Sequence, residues 1–137
     1  MCAKVLAIAN QKGGVGKTTT SISLSSALAR MGKKVLVLDL DPHACATLHA
    51  RIYPEGITCS LHDLFLAQED AWPVIWPDLI HVQALPGMDV APGSIRLSEL
   101  EVDFRERQAN GSVLLRSLTH VRDEYDYIIL DCPPHVG

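Results

Sequence analysis

The sequence predicts an α/β fold in which a mostly parallel sheet is flanked by helices. Three short apolar runs, at residues 5–9, 35–38 and 128–130, have the length and composition of buried parallel strands. The first run leads through a glycine-rich segment into residues 18–31, where apolar side chains recur at helical spacing. Strands that alternate with helices favour parallel pairing, because a parallel connection has to cross from one end of the sheet to the other.

The segments between the second and third apolar runs supply the remaining predicted elements. Ser60 is a candidate N-cap of a short helix, because Asp63 follows it by three residues as in a capping box. The pair Pro86-Gly87 separates two candidate strands. The predicted elements of this region are a short helix at 44–50, a turn at 53–56, a helix at 60–66, strands at 79–85 and 88–91, and helices at 95–104 and 112–124.

Two tryptophan–proline pairs, Trp72-Pro73 and Trp76-Pro77, lie between the helix predicted at 60–66 and the next strand. Proline disfavours helical backbone in the residue before it, so these pairs are expected to interrupt regular structure. The two tryptophans are expected to pack in the core or at its edge rather than to stack on a cofactor.

Residues 10–19 read Asn-Gln-Lys-Gly-Gly-Val-Gly-Lys-Thr-Thr and join the first strand to the first helix. Gly13, Gly14 and Gly16 have no Cβ. The backbone at these positions can therefore adopt positive φ and turn its N–H groups inward around a polyphosphate. Lys17 can then reach the β- and γ-phosphates, and the Thr18 hydroxyl can ligate Mg2+. Gln11 stands where the standard loop has glycine, so the match is to a deviant form. The alternative is a glycine-rich turn that binds nothing.

Acidic residues follow two of the predicted buried strands. Asp39 and Asp41 lie at and just past the end of the strand at 35–38, and Asp131 ends the strand at 128–130. Open α/β sheets bind ligands outside the carboxyl ends of their strands. A buried charge at such a place requires a partner, and Mg2+ would serve for Asp131. Alternatively, Asp39 or Asp41 caps the helix or turn that follows.

Together these motifs resemble those of the ParA/MinD group of P-loop ATPases. The string from Lys12 to Thr19 is similar to that group's deviant Walker A box, residues 35–42 to its second acidic motif, and residues 127–134 to its Walker B strand with the switch loop. The Asn-Gln before the box, the Asp-Pro after the second strand and the Asp-Cys-Pro-Pro favour the ParA/Soj branch of chromosome and plasmid partitioning proteins over MinD. The resemblance implies a P-loop NTPase-like fold, with residues 1–137 as the N-terminal portion of a single ParA-like nucleotide-binding domain.

The resemblance also implies a site for ATP and Mg2+. Asp41 would position or activate the attacking water, and Lys12 and Lys17 are the other residues implied to be catalytic. Lys12 would cross a face-to-face dimer to the phosphates held by the other subunit, whereas the alternative is a solvated loop lysine. Mg2+ would be held by Thr18, Asp39 and Asp131. The nucleotide would contact Lys12, Gly13, Gly14, Val15, Gly16, Lys17, Thr18 and Thr19.

The activity implied by the resemblance is ATP hydrolysis by a nucleotide-dependent homodimer that positions or partitions chromosome DNA, plasmid DNA or another cellular cargo. A ParB-like protein would stimulate hydrolysis, and non-specific DNA would bind through regions largely absent from this chain. Relatives continue beyond the Walker B strand, so the chain is expected to be truncated there. The alternative is a truncated, non-hydrolysing nucleotide-binding or interaction module that pairs with a full-length relative. His43 and His135 depart from the residues common at these places in the family.

Composition is that of a globular chain of one domain, with 137 residues of which 47% are hydrophobic and 20% charged. The formal net charge of −4 argues against nucleic-acid binding by bulk positive charge. No apolar stretch approaches the ~20 residues of a membrane span, so no membrane partner is expected. The four cysteines have neither C-x-x-C nor zinc spacing and favour a reducing cytoplasm. The resemblance to the ParA group implies nucleoid association as a further expectation. Cys132 is expected to be a small buried residue and not a nucleophile.

Overall fold

Five strands form one sheet in the computed structural model, which describes residues 3–8, 14–41, 45–97 and 109–132. The strands are β1 (Lys4–Ile8), β2 (Val35–Asp39), β3 (His81–Leu85), β4 (Met88–Ala91) and β5 (Tyr127–Asp131). Their spatial order is β1-β5-β2-β4-β3, and all neighbouring pairs are parallel except β3 with β4. The predicted α/β class with a mostly parallel sheet is confirmed.

Five helices lie within the described ranges and connect or follow these strands. They are α1 (Gly14–Arg30), α2 (Cys45–His49), α3 (Leu61–Leu66), α4 (Trp72–Leu79) and α5 (Ala109–Ser117). Helix α1 begins four residues before the predicted start at Thr18. Helix α5 ends at Ser117, earlier than the helix predicted at 112–124. The residues that follow form two 3-10 turns, Leu118–His120 and Arg122–Glu124. No helix within the described ranges is long and apolar enough to cross a membrane.

The predicted helix at 95–104 is only partly within the described residues. Ile95–Leu97 forms a 3-10 turn, and the positions after Leu97 in that prediction lie outside the described ranges. Helix α3 begins as predicted, because the Ser60 N–H donates to Asp63 Oδ2 at 2.8 Å in a capping box. Leu79 is the last residue of α4, so β3 starts two residues later than the strand that was predicted.

The core lies on both faces of the sheet around its central strand, β2. All five residues of β2 are buried, and its four apolar residues alternate between two clusters as the period of two requires. Leu36 and Leu38 pack in the cluster that includes residues of α3, α4 and α5. Val35 and Val37 pack in the cluster that includes Leu28 of α1. The sheet therefore lies between α1 on one face and α3, α4 and α5 on the other.

Strand β1 occupies an edge of the sheet. Within the described part of the chain it pairs only with β5, and the Leu6 side chain is 37% exposed. The expectation that this apolar run forms a buried strand is therefore wrong in part, because an edge strand has only one strand neighbour to cover it.

Helix α4 contains both prolines that were expected to interrupt regular structure, so that expectation is wrong. Pro73 lies in the first helical turn, where its missing N–H has no intrahelical partner to lose. Pro77 lies inside the helix and removes one hydrogen bond. Trp72 and Trp76 are buried, and Trp76 Nε1 donates to the Ser117 carbonyl oxygen at 3.0 Å. Burial of the two indoles offsets the cost of Pro77, and the prediction that both tryptophans pack in the core is confirmed.

Candidate functional site

The carboxyl ends of three parallel strands meet at one edge of the sheet. Asp131 at the end of β5 is paired with Asp39 on β2 and with Ile8 on β1. Backbone hydrogen bonds continue this edge beyond the strands, from Leu40 N to Asp131 O at 3.0 Å and from Cys132 N to Ile8 O at 2.9 Å. We call this region, from Ile8 through Asp131 to Asp39, the carboxyl edge.

Helix α1 is attached to the carboxyl edge through Ser21. The Ser21 hydroxyl donates to Asp131 Oδ1 at 3.2 Å, and both residues are fully buried. Ser25, one turn further along the helix, donates its hydroxyl to the Ser21 carbonyl oxygen at 2.8 Å. The helix that contains Lys17 and Thr18 therefore contacts the end of β5 through a polar side chain one turn after Lys17.

Asp39 accepts three hydrogen bonds at the end of β2. Its Oδ2 accepts from the Thr47 N–H at 2.8 Å and from the Thr47 hydroxyl at 2.6 Å. Its Oδ1 accepts from the Asp41 N–H at 3.1 Å. Thr47 lies in the first turn of α2, so Asp39 caps that helix from outside it. The interpretation of Asp39 as a helix cap, which the sequence left open, is confirmed.

Two buried acidic groups lie side by side on neighbouring strands. Burial raises the pKa of Asp39 to about 6; the hydrogen bonds from Thr47 and Asp41 act against that rise, and the nearby charge of Asp131 adds to it. Two buried carboxylates in register at the carboxyl ends of neighbouring strands favour a cation that compensates their charge. Carboxylate oxygens are also the donors that Mg2+ prefers, so this pair fits that ion.

Asp41 lies two residues beyond β2 and is 1% exposed. Its backbone is tied to Asp39 by the bond to Oδ1, so the position of the Asp41 segment depends on how Asp39 is held. The three predicted acidic residues are thus found in one buried region, at the ends of β2 and β5.

The other predicted site residues lie at or before the start of α1. Lys12 and Gly13 are outside the described residues, as are His43 and His135. The remaining predicted nucleotide contacts all belong to the N-terminal part of α1: Gly14, Val15, Gly16, Lys17, Thr18 and Thr19. Because Gly14 and Gly16 are within the helix, the loop conformation with positive φ that was expected at these two glycines is not observed.

Three residues that contact the site were not identified from the sequence, namely Ser21, Thr47 and Gly93. Ser21 follows Lys17 by four residues, a spacing that places both on one side of a helix, and this signal could have found it. Thr47 lies in a predicted short helix, but nothing in the sequence pairs it with Asp39. The Gly93 N–H donates to the Thr47 hydroxyl oxygen at 2.8 Å, a contact between residues 46 positions apart that no local pattern predicts.

The cysteines and histidines add no further centre within the described ranges. Among the residues that the structure describes, no group of three or more His, Cys, Asp or Glu side chains is arranged to hold a metal ion. In the described part of the chain, Cys59 and Cys132 are not joined to other cysteines by disulfides. Cys132 is partly buried and packs against the core, so the expectation of full burial is met only in part.

A mostly parallel sheet whose acidic strand ends meet the helix after a glycine-rich segment defines a P-loop NTPase-like protein. A family model described as an AAA domain matches residues 3–137, and the chain belongs to this family. The match extends over nearly the whole chain and includes every predicted site residue.

Curated relatives refine this assignment. The chain is 40% identical over 134 residues to the sporulation initiation inhibitor protein Soj of Bacillus subtilis, covering 98% of this chain and 51% of Soj. It is 38% identical over 136 residues to the chromosome partitioning protein ParA of Caulobacter vibrioides, covering 98% of this chain and 49% of that protein. The chain thus spans about half the length of these relatives. The predicted resemblance to ParA/Soj-type P-loop ATPases is confirmed.

A solved structure has the same fold. The crystal structure of cobyrinic acid a,c-diamide synthase from Mycobacterium smegmatis, with bound ATP analogue and magnesium, superposes with a TM-score of 0.82 at 37% identity. The match covers 98% of this chain and 53% of the other. The similarity of fold therefore includes the sheet and the carboxyl edge.

Proposed function

We propose that this chain binds Mg-ATP at the carboxyl edge and provides the nucleotide site of a ParA-like ATPase. The observation that carries the proposal is the register of β2 and β5, which sets Asp39 beside Asp131 at the edge that α1 contacts. The similarity to Soj, to ParA and to a solved structure with an ATP analogue and magnesium supports it.

Mg2+ would be held by Thr18 and Asp131 with support from Asp39. A carboxylate offers roughly four acceptor sites, and Asp39 already uses three of them on Asp41 and Thr47. Asp39 is therefore better suited to accept a hydrogen bond from a metal-bound water than to ligate the ion directly. When bound, Mg2+ neutralises phosphate charge and orients the phosphates for transfer.

The start of α1 would bind the phosphates. Backbone N–H groups from Gly13 to Lys17 would donate to phosphate oxygens, since the first four N–H groups of a helix have no intrahelical partner and lie at its positive dipole end. Lys17 would neutralise charge on the β- and γ-phosphates. Asp41 would accept a hydrogen bond from the attacking water and orient it towards the γ-phosphate. Phosphoryl transfer depends mainly on such positioning and charge neutralisation, so this set of groups suffices.

Lys12 would connect nucleotide binding to dimerisation. It would reach the phosphates of a second copy of the chain, as a cation supplied in trans. We further propose that the nucleotide-bound dimer acts on DNA or another cargo together with a ParB-like protein that stimulates hydrolysis. The name of the Caulobacter vibrioides relative, chromosome partitioning protein ParA, supports a role in partitioning.

Steady-state ATP hydrolysis by the purified chain tests the proposal. We expect turnover that requires Mg2+ and that falls by about a hundredfold or more in Lys17→Ala and in Asp41→Ala, because each variant removes a group that acts on the transition state. Lys33→Ala is the matched control, since Lys33 is an exposed lysine just after α1, at the opposite end of that helix from Lys17. Its turnover should equal that of the wild type.

Two other outcomes would separate the alternatives. ATP binding without turnover at any protein concentration, with or without DNA, would support a non-hydrolysing interaction module instead. Failure to bind ATP in the presence of Mg2+ would contradict the proposed site itself.

A further inference from the structure

Thr47 connects three separate segments of the chain through one hydroxyl group. The hydroxyl donates to Asp39 Oδ2 at 2.6 Å and accepts from the Gly93 N–H at 2.8 Å. Its own backbone N–H donates to the same Asp39 oxygen at 2.8 Å. Thr47 is 1% exposed and Asp39 is fully buried, so water cannot readily replace these bonds. The end of β2, the start of α2 and the segment after β4 are joined at this point.

The bonds continue from Thr47 to Asp41. With Oδ2 of Asp39 held by Thr47, the other carboxylate oxygen faces the Asp41 N–H at 3.1 Å. The series Gly93, Thr47, Asp39, Asp41 is therefore an unbroken sequence of hydrogen bonds. Rotation of the Asp39 carboxylate would break the bond to Asp41, and Thr47 prevents that rotation with two donors on one oxygen.

Gly93 brings the segment after β4 directly against the Asp39–Asp41 backbone. A Cβ at Gly93 would lie 2.5 Å from the Asp39 carbonyl oxygen and 3.2 Å from that of Asp41. Only glycine allows this approach, since a side chain would displace the backbone that contains both aspartates. The contact that fixes Thr47 and the contact that confines Asp41 thus come from the same residue.

We propose that Thr47 is a positioning residue for Asp41 in ATP hydrolysis, acting through Asp39 and held in place by Gly93. This inference rests on the proposed function, because Asp41 matters for turnover only if it orients the attacking water. The proposed nucleotide contacts lie at the start of α1 and do not include Thr47. Loss of its hydroxyl should therefore affect the chemical step and leave nucleotide affinity unchanged.

The test compares Thr47→Val with Thr47→Ser. Valine retains the shape of threonine but removes the hydroxyl, whereas serine retains the hydroxyl. We expect Thr47→Val to lower kcat roughly tenfold to a hundredfold, as small misplacements of catalytic groups do, with KM and the Kd of a non-hydrolysable ATP analogue within twofold of wild type. Thr47→Ser should recover most of the wild-type kcat. Thermal unfolding of each variant verifies folding, and Thr47→Ala replaces Thr47→Val if the valine variant does not fold.

The outcomes distinguish this role from the proposed function. A wild-type kcat in Thr47→Val would overturn the role of Thr47 and leave the proposed function standing. A loss of kcat that serine does not restore, or an equal loss of nucleotide affinity, would overturn it as well, since a merely structural role predicts both. A wild-type chain that binds ATP but has no turnover would contradict the proposed function and this role together.

Discussion

Asp39 shows that the sequence can indicate the possible roles of a side chain without specifying which residues it contacts. Its place before a helix or turn predicted a cap as one alternative, and the resemblance to the ParA group implied a metal-supporting group. In the structure Asp39 forms the cap with three hydrogen bonds. Its register with Asp131 keeps the metal-supporting role open as well, through the remaining acceptor site. Sequence position could predict the cap, and the family resemblance the metal-supporting role, but only the contact with Thr47 shows how the carboxylate is oriented.

Tyr125 permits a prediction of pH dependence far from the carboxyl edge. Its hydroxyl donates to Asp89 Oδ2 at 2.6 Å, and burial together with this bond raises the pKa of Tyr125 above its usual value. Unfolded tyrosine ionises near pH 10, whereas Tyr125 in the folded chain keeps its proton there. The unfolded state then binds fewer protons than the folded state, so the free energy of unfolding falls as pH rises above about 10.

Urea unfolding of Tyr125→Phe between pH 8 and 11 measures this effect. We expect the variant to be less stable by about 1 kcal/mol at pH 8, because one hydrogen bond is lost. Its stability should then decline less steeply than that of the wild type above pH 10. Tyr53→Phe is the control, since Tyr53 is 52% exposed. Identical slopes in Tyr125→Phe and wild type would show that Tyr125 does not cause the alkaline loss.

At the scale of elements, strands were more predictable than helices. Strands β2 and β5 are short apolar runs that end in aspartate. A continuous apolar run of this length is typical of a buried parallel strand, so both could be predicted. Helix α4 was not predictable, because the local effect of two prolines competes with burial of Trp72 and Trp76 against distant parts of the chain. Contacts such as the one between Trp76 and Ser117 join residues 41 positions apart, and no local pattern contains them.

The two prolines of α4 should differ in their effect on stability. Pro77→Ala restores the hydrogen bond that proline removes inside the helix, so we expect it to raise the free energy of unfolding by roughly 1 kcal/mol or more. Pro73→Ala, in the first turn, is the matched comparison and should change stability by less than about 0.5 kcal/mol. Urea unfolding measures both. A stabilisation by Pro73→Ala as large as that by Pro77→Ala would contradict this account of α4.

At the scale of the whole molecule, the sheet brings motifs that are distant in sequence next to one another in the candidate site. Ser21 contacts Asp131 across 110 positions, and Asp39 and Asp131 become neighbours because β2 and β5 are parallel and adjacent. The rule that ligands bind at the carboxyl ends of parallel strands could predict this convergence. It could not predict the Thr47 and Gly93 contacts, which depend on how α2 and the segment after β4 pack over that edge.

Calorimetric titration of the chain with ATP, in Mg2+ and in EDTA, tests the central claim that the carboxyl edge is a Mg-ATP site. We predict binding that is strengthened at least tenfold by Mg2+, equivalent to about 1.4 kcal/mol. Asp131→Ala should abolish that dependence on Mg2+, while Asp70→Ala, at an exposed aspartate, should retain it. Equal affinity in Mg2+ and EDTA, or a dependence on Mg2+ that survives in Asp131→Ala, would contradict the claim.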